Sequence, residues 1–235
     1  MTAVAQQRVF EKGAIRPIDV SIPEAELFEL RRRINATRFP ERETVADDSQ
    51  GVQLETIRNL ACYWGADYDW RACETRLNAL PNFMTEIDDL DIHFIDVRSR
   101  HDHALPLVLT QGWPGSVIEM LEVIDPLTNP TAHGGNAEDA FHVVIPSMPG
   151  YGLSGKPTTT GWDAPRIARA WVALMKRLGY TQFVAQGGDW GAVIVDQMAL
   201  QMPAGRRGSH TYRPGAVTSE LLRAALADKP SPGLA

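Results

Sequence analysis

A chain of 235 residues with 44% hydrophobic residues, 22% charged residues and a net charge of −6 has the composition of an ordinary globular protein. It is long enough to bury a sizeable core, as one domain with an appendage or as two small domains. Its mild acidity offers nucleic acid or an anionic membrane no electrostatic attraction, so neither is expected as a partner.

The N-terminus, Met1 to Arg16, has no long apolar stretch. Neither a secretory signal nor an anchor is expected there, and the default location is cytoplasmic. Ser21-Ile22-Pro23-Glu24 opens the first helix, with Ser21 as cap, Pro23 in the first turn and Glu24 and Glu26 at the positive end of the dipole. Leu27, Leu30 and Ile34 follow at helical spacing, and Arg38-Phe39-Pro40 ends the run. Arg31-Arg32-Arg33 reads as a solvated face of that helix. Val52 to Trp64 and Asp69 to Leu80 predict two further helices. Cys62 and Cys73 fall on them without metal-ligand spacing and are expected as buried or half-buried free thiols in a reducing compartment.

At Pro81 the pattern changes. Phe83–Ile87 and Ile92–Val97 predict a hairpin turning at Asp88-Asp89. Leu105–Leu109 and Phe141–Ile145 are continuous apolar runs of the kind found in buried parallel strands. Val117–Ile124 predicts a short helix, Ala164–Leu178 a strongly amphipathic one, and Ala192–Leu200 another. Phe183–Ala185 is a short strand. Strands alternating with helices predict βαβ units and a mostly parallel sheet. Beyond Met202 the signal weakens: Arg206–His210 is a poor strand, Leu221–Leu226 could make one short helix, and a Pro/Gly tail follows.

The sharpest motif is Gly187-Gly188-Asp189-Trp190-Gly191, set between a short strand and a helix. That is the context of a nucleophile elbow, Gly-x-nucleophile-x-Gly, with an aspartate at its centre. A carboxyl group with the ordinary pKa of about 4 is already ionised at neutral pH and needs no base to activate it. It can attack an electrophilic sp³ carbon and form an alkyl ester. A water must then hydrolyse the ester with help from a histidine base. The competing reading makes Asp189 a plain helix N-cap. Gln111-Gly112-Trp113-Pro114-Gly115 also follows an apolar run. In α/β-hydrolases such a loop and the residue after the nucleophile supply the oxyanion hole, which assigns the N–H groups of Trp113 and Trp190.

With these motifs in place the sequence resembles the epoxide hydrolases of the microsomal type. The resemblance rests on Gln111-Gly112-Trp113-Pro114-Gly115-Ser116, on Pro146-Ser147-Met148-Pro149-Gly150-Tyr151-Gly152-Leu153-Ser154 and on Gly187-Gly188-Asp189-Trp190-Gly191-Ala192. In the helical region Arg38-Phe39-Pro40 and Tyr68-Asp69-Trp70-Arg71 add to it. It runs from about Arg16 to Met202 and more loosely through His210-Thr211. It implies an α/β fold: a helical N-terminal region over residues 1–82, an incomplete α/β-hydrolase core over 83–203 with a mostly parallel sheet and flanking helices, and a weakly structured segment over 204–235. It further implies a small-molecule epoxide opened to a vicinal diol through an ester on Asp189, with no cofactor and no metal. Roles in detoxification or aromatic hydrocarbon catabolism go with that chemistry.

Two departures stand out. Gln111 occupies a position that is usually histidine in the family. The family also continues with a helical cap bearing tyrosines, and then with strands bringing an acid and a histidine. Here His210 is the only histidine after the elbow, on the very next strand, and reads as structural. The expectation is a chain cut before the cap and the catalytic histidine, which forms the ester without turnover and self-associates through uncovered apolar surface. Two alternatives are a haloalkane dehalogenase-like hydrolase, whose elbow tryptophan would bind halide, and a remnant without activity.

Weaker signals have plainer readings. Gly150–Lys156 approaches a phosphate-binding loop, but Pro157 stands where Ser or Thr is needed, so the loop is expected to turn the chain or line the pocket entrance. His101-Asp102-His103 lacks further ligands and reads as a solvated loop. His93 reads as a surface-facing strand residue. Trp64, Trp70, Trp162 and Trp171 read as core.

Overall fold

The computed structural model describes residues 13–201 and 205–212. They form two compact units, one of residues 19–80 and one of the remainder. The expected helix at Leu221–Leu226 and the tail after it lie outside the described residues.

The smaller unit holds helices α1 (Glu24–Asn35), α2 (Leu54–Ala66) and α3 (Trp70–Asn78). In α1 the cap position is Pro23, with no side-chain cap, so Ser21 does not cap it. Acidic Glu24 and Glu26 in the first turn and basic Arg32 and Arg33 in the last complement the helix dipole. Helix α3 is capped by its side chain: Asp69 Oδ1 accepts from the N–H groups of Arg71 and Ala72 at 2.9 and 3.3 Å. Within α3, Glu74 accepts from Trp70 Nε1 at 3.0 Å, Arg71 Nη1 at 2.6 Å and the Ile22 N–H at 2.6 Å. The Asp69-Trp70-Arg71 run is therefore a local cap plus two donors to one buried carboxylate. The Arg71 guanidinium and the Ile22 N–H hold the Glu74 carboxyl below the usual range. Two expectations fail in α2. Cys62 is exposed, and Trp64 is 47% exposed rather than core. The unit is small, and its buried aliphatic side chains include only Leu27, Leu54 and Leu77 from the three helices, so most of α2 stays at its surface.

The larger unit is built on a seven-stranded sheet: β1 (Arg16–Pro17), β2 (Asn82–Ile87), β3 (Leu90–Val97), β4 (Leu105–Thr110), β5 (Phe141–Pro146), β6 (Phe183–Gly187) and β7 (Arg206–Thr211). The strand order is β1-β2-β3-β5-β4-β6-β7. Strands β5, β4, β6 and β7 run parallel, and the β2–β3 hairpin joins antiparallel beside β5. Asp88 and Asp89 turn that hairpin with φ of 51° and 62°, the left-handed pair a two-residue turn requires. Helices α4 (Leu121–Thr128), α5 (Ala164–Arg177) and α6 (Trp190–Leu200) complete the unit, and α4 is led in by a 3₁₀ turn at Val117–Met120. The core lies between α5, α6 and the sheet. Trp171, Leu174, Met175, Ile194 and Met198 pack there on Phe94, Val108, Val144 and Ala185. The weak strand of the sequence forms as β7, with Gly187 opposite Thr211.

His93 corrects the reading made from its neighbours. It is 0% exposed. Its strand is buried at four successive positions from Ile92 to Ile95, because β3 is covered on both faces at this point.

Candidate active site

Parallel strands bring their C-terminal ends to one side of the sheet, where crossing loops leave a crevice. The loop after β4 carries Gln111 to Gly115, the loop after β5 carries Ser147 to Gly155, and β6 runs into Gly188 and Asp189. The turn at Asp189 is tight. Its φ of 51° lies in the left-handed region, a strained conformation for a residue with a side chain. Glycine is required around it. A side chain on Gly191 would collide with the Thr110 carbonyl oxygen, and one on Gly112 would collide with Asp189 itself.

Asp189 occupies the cap position of α6, yet its side chain makes no cap hydrogen bond to that helix. Its Oδ1 instead accepts from the Trp113 N–H at 3.0 Å, across 76 residues of sequence. The ordinary-cap reading of the elbow therefore does not describe this carboxylate. Trp190 is the first residue of α6, where a helix leaves its N–H groups without intrahelical partners. The Trp113 N–H thus reaches the carboxylate from the loop after β4, and Trp190 follows Asp189 at the start of α6. Asp189 is half-buried, and Trp113 and Trp190 are 58% and 54% exposed.

Both tryptophans line a hollow of about 310 Å³ with Met148, Pro149, Tyr151 and Ile194. The Gly150–Lys156 loop is thus a wall and a turn, as expected from Pro157. Asp163 caps α5 on the rim of the same hollow. The sequence did not single out Tyr212. Its ring lies against Gly188, so that a side chain on Gly188 would overlap it. Only the pairing of β7 with β6 brings it there, and no local motif announces that pairing. Gln111 is 1% exposed and its Oε1 lacks a hydrogen-bond partner among the described residues. His210 sits within the sheet opposite Gln186, not beyond the strand ends with Asp189. His101, Asp102 and His103 lie on a loop, and among the described residues no three His, Cys, Asp or Glu side chains gather as a metal site.

A half-parallel sheet with a carboxylate on a strained strand-to-helix turn, facing a donor from a neighbouring loop, defines an α/β-hydrolase. Residues 106–205 match the family model for the alpha/beta hydrolase fold, and residues 15–120 match that for the epoxide hydrolase N terminus. A protein of Stigmatella aurantiaca whose name assigns it to the epoxide hydrolases is 56% identical over 200 residues, covering 85% of this chain and 46% of the relative. Epoxide hydrolase 1 of Oryctolagus cuniculus is 36% identical over 204 residues, covering 85% and 45%. The crystal structure of juvenile hormone epoxide hydrolase from Bombyx mori superposes with a TM-score of 0.74 at 33% identity, over 85% of this chain and 53% of that one. An Aspergillus niger epoxide hydrolase gives 0.73 at 30% identity, over 92% and 58%. The chain belongs to the epoxide hydrolase family, and it spans about half the length of the relatives it matches.

Proposed function

We propose that this chain carries the nucleophilic half of epoxide hydrolysis, with Asp189 as nucleophile and the N–H groups of Trp113 and Trp190 as oxyanion donors. The observation that carries this reading is the 3.0 Å bond from the Trp113 N–H to Asp189 Oδ1, made while the carboxylate leaves its own helix uncapped. In this reading the two oxygens take different roles. Oδ2 attacks an epoxide carbon, the carbon–oxygen bond of the ring breaks, and the freed ring oxygen takes up a proton. Oδ1 becomes the carbonyl oxygen of the ester. When water attacks that carbonyl, Oδ1 takes the negative charge with the Trp113 N–H beside it, and the diol leaves. No cofactor enters the scheme. The partner is a small-molecule epoxide, not nucleic acid or a membrane, and no helix among the described residues is long and apolar enough to cross a membrane. Removal of reactive epoxides, including those of aromatic hydrocarbon breakdown, is the role this chemistry implies. Free Cys62 and Cys73 suit a cytoplasmic setting.

The test is intact-protein mass after incubation with styrene oxide. The expected result for the 235-residue polypeptide is a slow mass gain of one styrene oxide per chain with no catalytic release of diol, because its His210 is held within the sheet opposite Gln186. An adduct that persists in Asp189→Ala would sink the assignment of the nucleophile. Repeated diol production would sink the statement about release. The dehalogenase reading predicts halide release from a haloalkane instead, and the match of residues 15–120 to an epoxide hydrolase N terminus weighs against it.

A further inference from the structure

The wall loop of the hollow is tied to the sheet by a buried polar chain that the proposed chemistry does not use. His93 Nε2 meets Asn82 Oδ1 at 3.0 Å, and its Nδ1 meets Ser147 Oγ at 2.9 Å. The His93 N–H donates to Ser154 Oγ at 3.0 Å, and that hydroxyl donates to the Ser147 carbonyl at 2.7 Å. The main chain repeats the tie. The Ser147 N–H donates to the His93 carbonyl at 2.8 Å, the Gly155 N–H to the Asp91 carbonyl at 2.7 Å, and the Gly150 N–H to the Gly155 carbonyl at 2.9 Å. Asn82, His93, Ser147 and Ser154 are 4, 0, 1 and 7% exposed. Since the Asn82 oxygen can only accept, Nε2 carries the imidazole proton, and Nδ1 is left to accept from the Ser147 hydroxyl. Burial favours this neutral form and pushes the His93 pKa down to about 4. An apolar pair would fill the same space without desolvating four polar side chains. What the network adds is direction, because each hydrogen bond holds one geometry.

We propose that His93 is a positioning residue for the candidate site: as an Nε2-protonated imidazole it takes the Ser147 hydroxyl hydrogen bond and so fixes the wall of Met148, Pro149 and Tyr151 across the hollow from Trp113 and Trp190. The proposal rests on reading that hollow as part of the epoxide site.

Nitrogen-detected NMR of the imidazole in the full 235-residue chain tests it without any substitution. The expected signature is a protonated Nε2 and an unprotonated Nδ1 that do not titrate between about pH 5.5 and 8, where a free imidazole of pKa near 6.5 would. An Nδ1–H tautomer or a titration in that range overturns the proposal. Ser147→Ala removes only the hydroxyl. It is expected to speed hydrogen exchange at the Gly150 and Gly155 amides by roughly tenfold or more, the effect of one lost buried hydrogen bond, while α5 and α6 amides keep their rates. An unchanged loop, or a uniform rise throughout the chain, overturns it. The same substitution should slow formation of the Asp189 ester, and Ser147→Thr should restore it. Absence of any ester in the wild-type chain would count against the nucleophile assignment alone, since the imidazole signature and the exchange rates decide the clamp separately.

Discussion

Gly191 sits where two backbones close on one another, with the Thr110 carbonyl oxygen against its Cα. A methyl group there forces β4 and α6 apart. Gly191→Ala is expected to cost roughly 1–3 kcal/mol, the usual range for overpacking, and to abolish ester formation on Asp189. Urea denaturation and intact mass read the two effects, and an unchanged midpoint would contradict the geometry. His93 sets a different condition. Its pKa of about 4 in the fold lies below the ordinary 6.5. Between those values the unfolded chain binds a proton that the native chain refuses. Stability therefore falls as the pH drops from 6.5 toward 4, by roughly 3 kcal/mol in all. His93→Gln should lose that part of the acid sensitivity, which denaturation midpoints at pH 7 and pH 4.5 would compare. Asp189 was legible in the sequence, because an elbow is a local pattern of strand, small residues and helix. His93 was not, because the groups that meet its ring nitrogens come from Asn82 and Ser147, 11 and 54 residues away.

The helical elements separate local signals that formed from those that did not. Asp69 caps α3 with two backbone bonds, so Asp69→Ala should cost about 1 kcal/mol. Ser21 makes no cap on α1, so Ser21→Ala should stay within about 0.5 kcal/mol. Urea midpoints for the two variants, measured together, would contradict this account if Ser21→Ala were the more damaging. In the sheet, β4 and β5 announced themselves as apolar runs because both faces of their C-terminal halves are buried. β7 did not: Arg206, Arg207, Ser209 and His210 hold their strand through pairing with β6 at the edge, not through an apolar side-chain pattern. Tyr212 follows β7 to the side of Gly188 for the same reason.

At the scale of the whole chain, part of one sheet face, over the starts of β4 and β5 and beside β6 and β7, stays open in the described residues. Leu105, Leu107, Leu127, Phe141 and Val184 line a hollow of about 390 Å³ there, with His210 at its border. Parallel sheets are normally covered on both faces, and an apolar face of this kind promotes association. The isolated 235-residue chain is expected to show a weight-average mass that rises with concentration in sedimentation. A strict monomer at every concentration would contradict this. The sequence alone determined the α/β class, the helical N-terminal region and the family resemblance, and it singled out Asp189 and Trp113 as candidates. All of these are written in short-range patterns whose physics acts within a few residues. The tertiary structure decided that the Asp189 carboxylate turns to Trp113 instead of to its own helix, that His93 is enclosed, that Cys62 and Trp64 face outward and that Tyr212 reaches the elbow. Those outcomes depend on which strands become neighbours, and burial and hydrogen bonding between distant segments exist only once the chain has closed on itself.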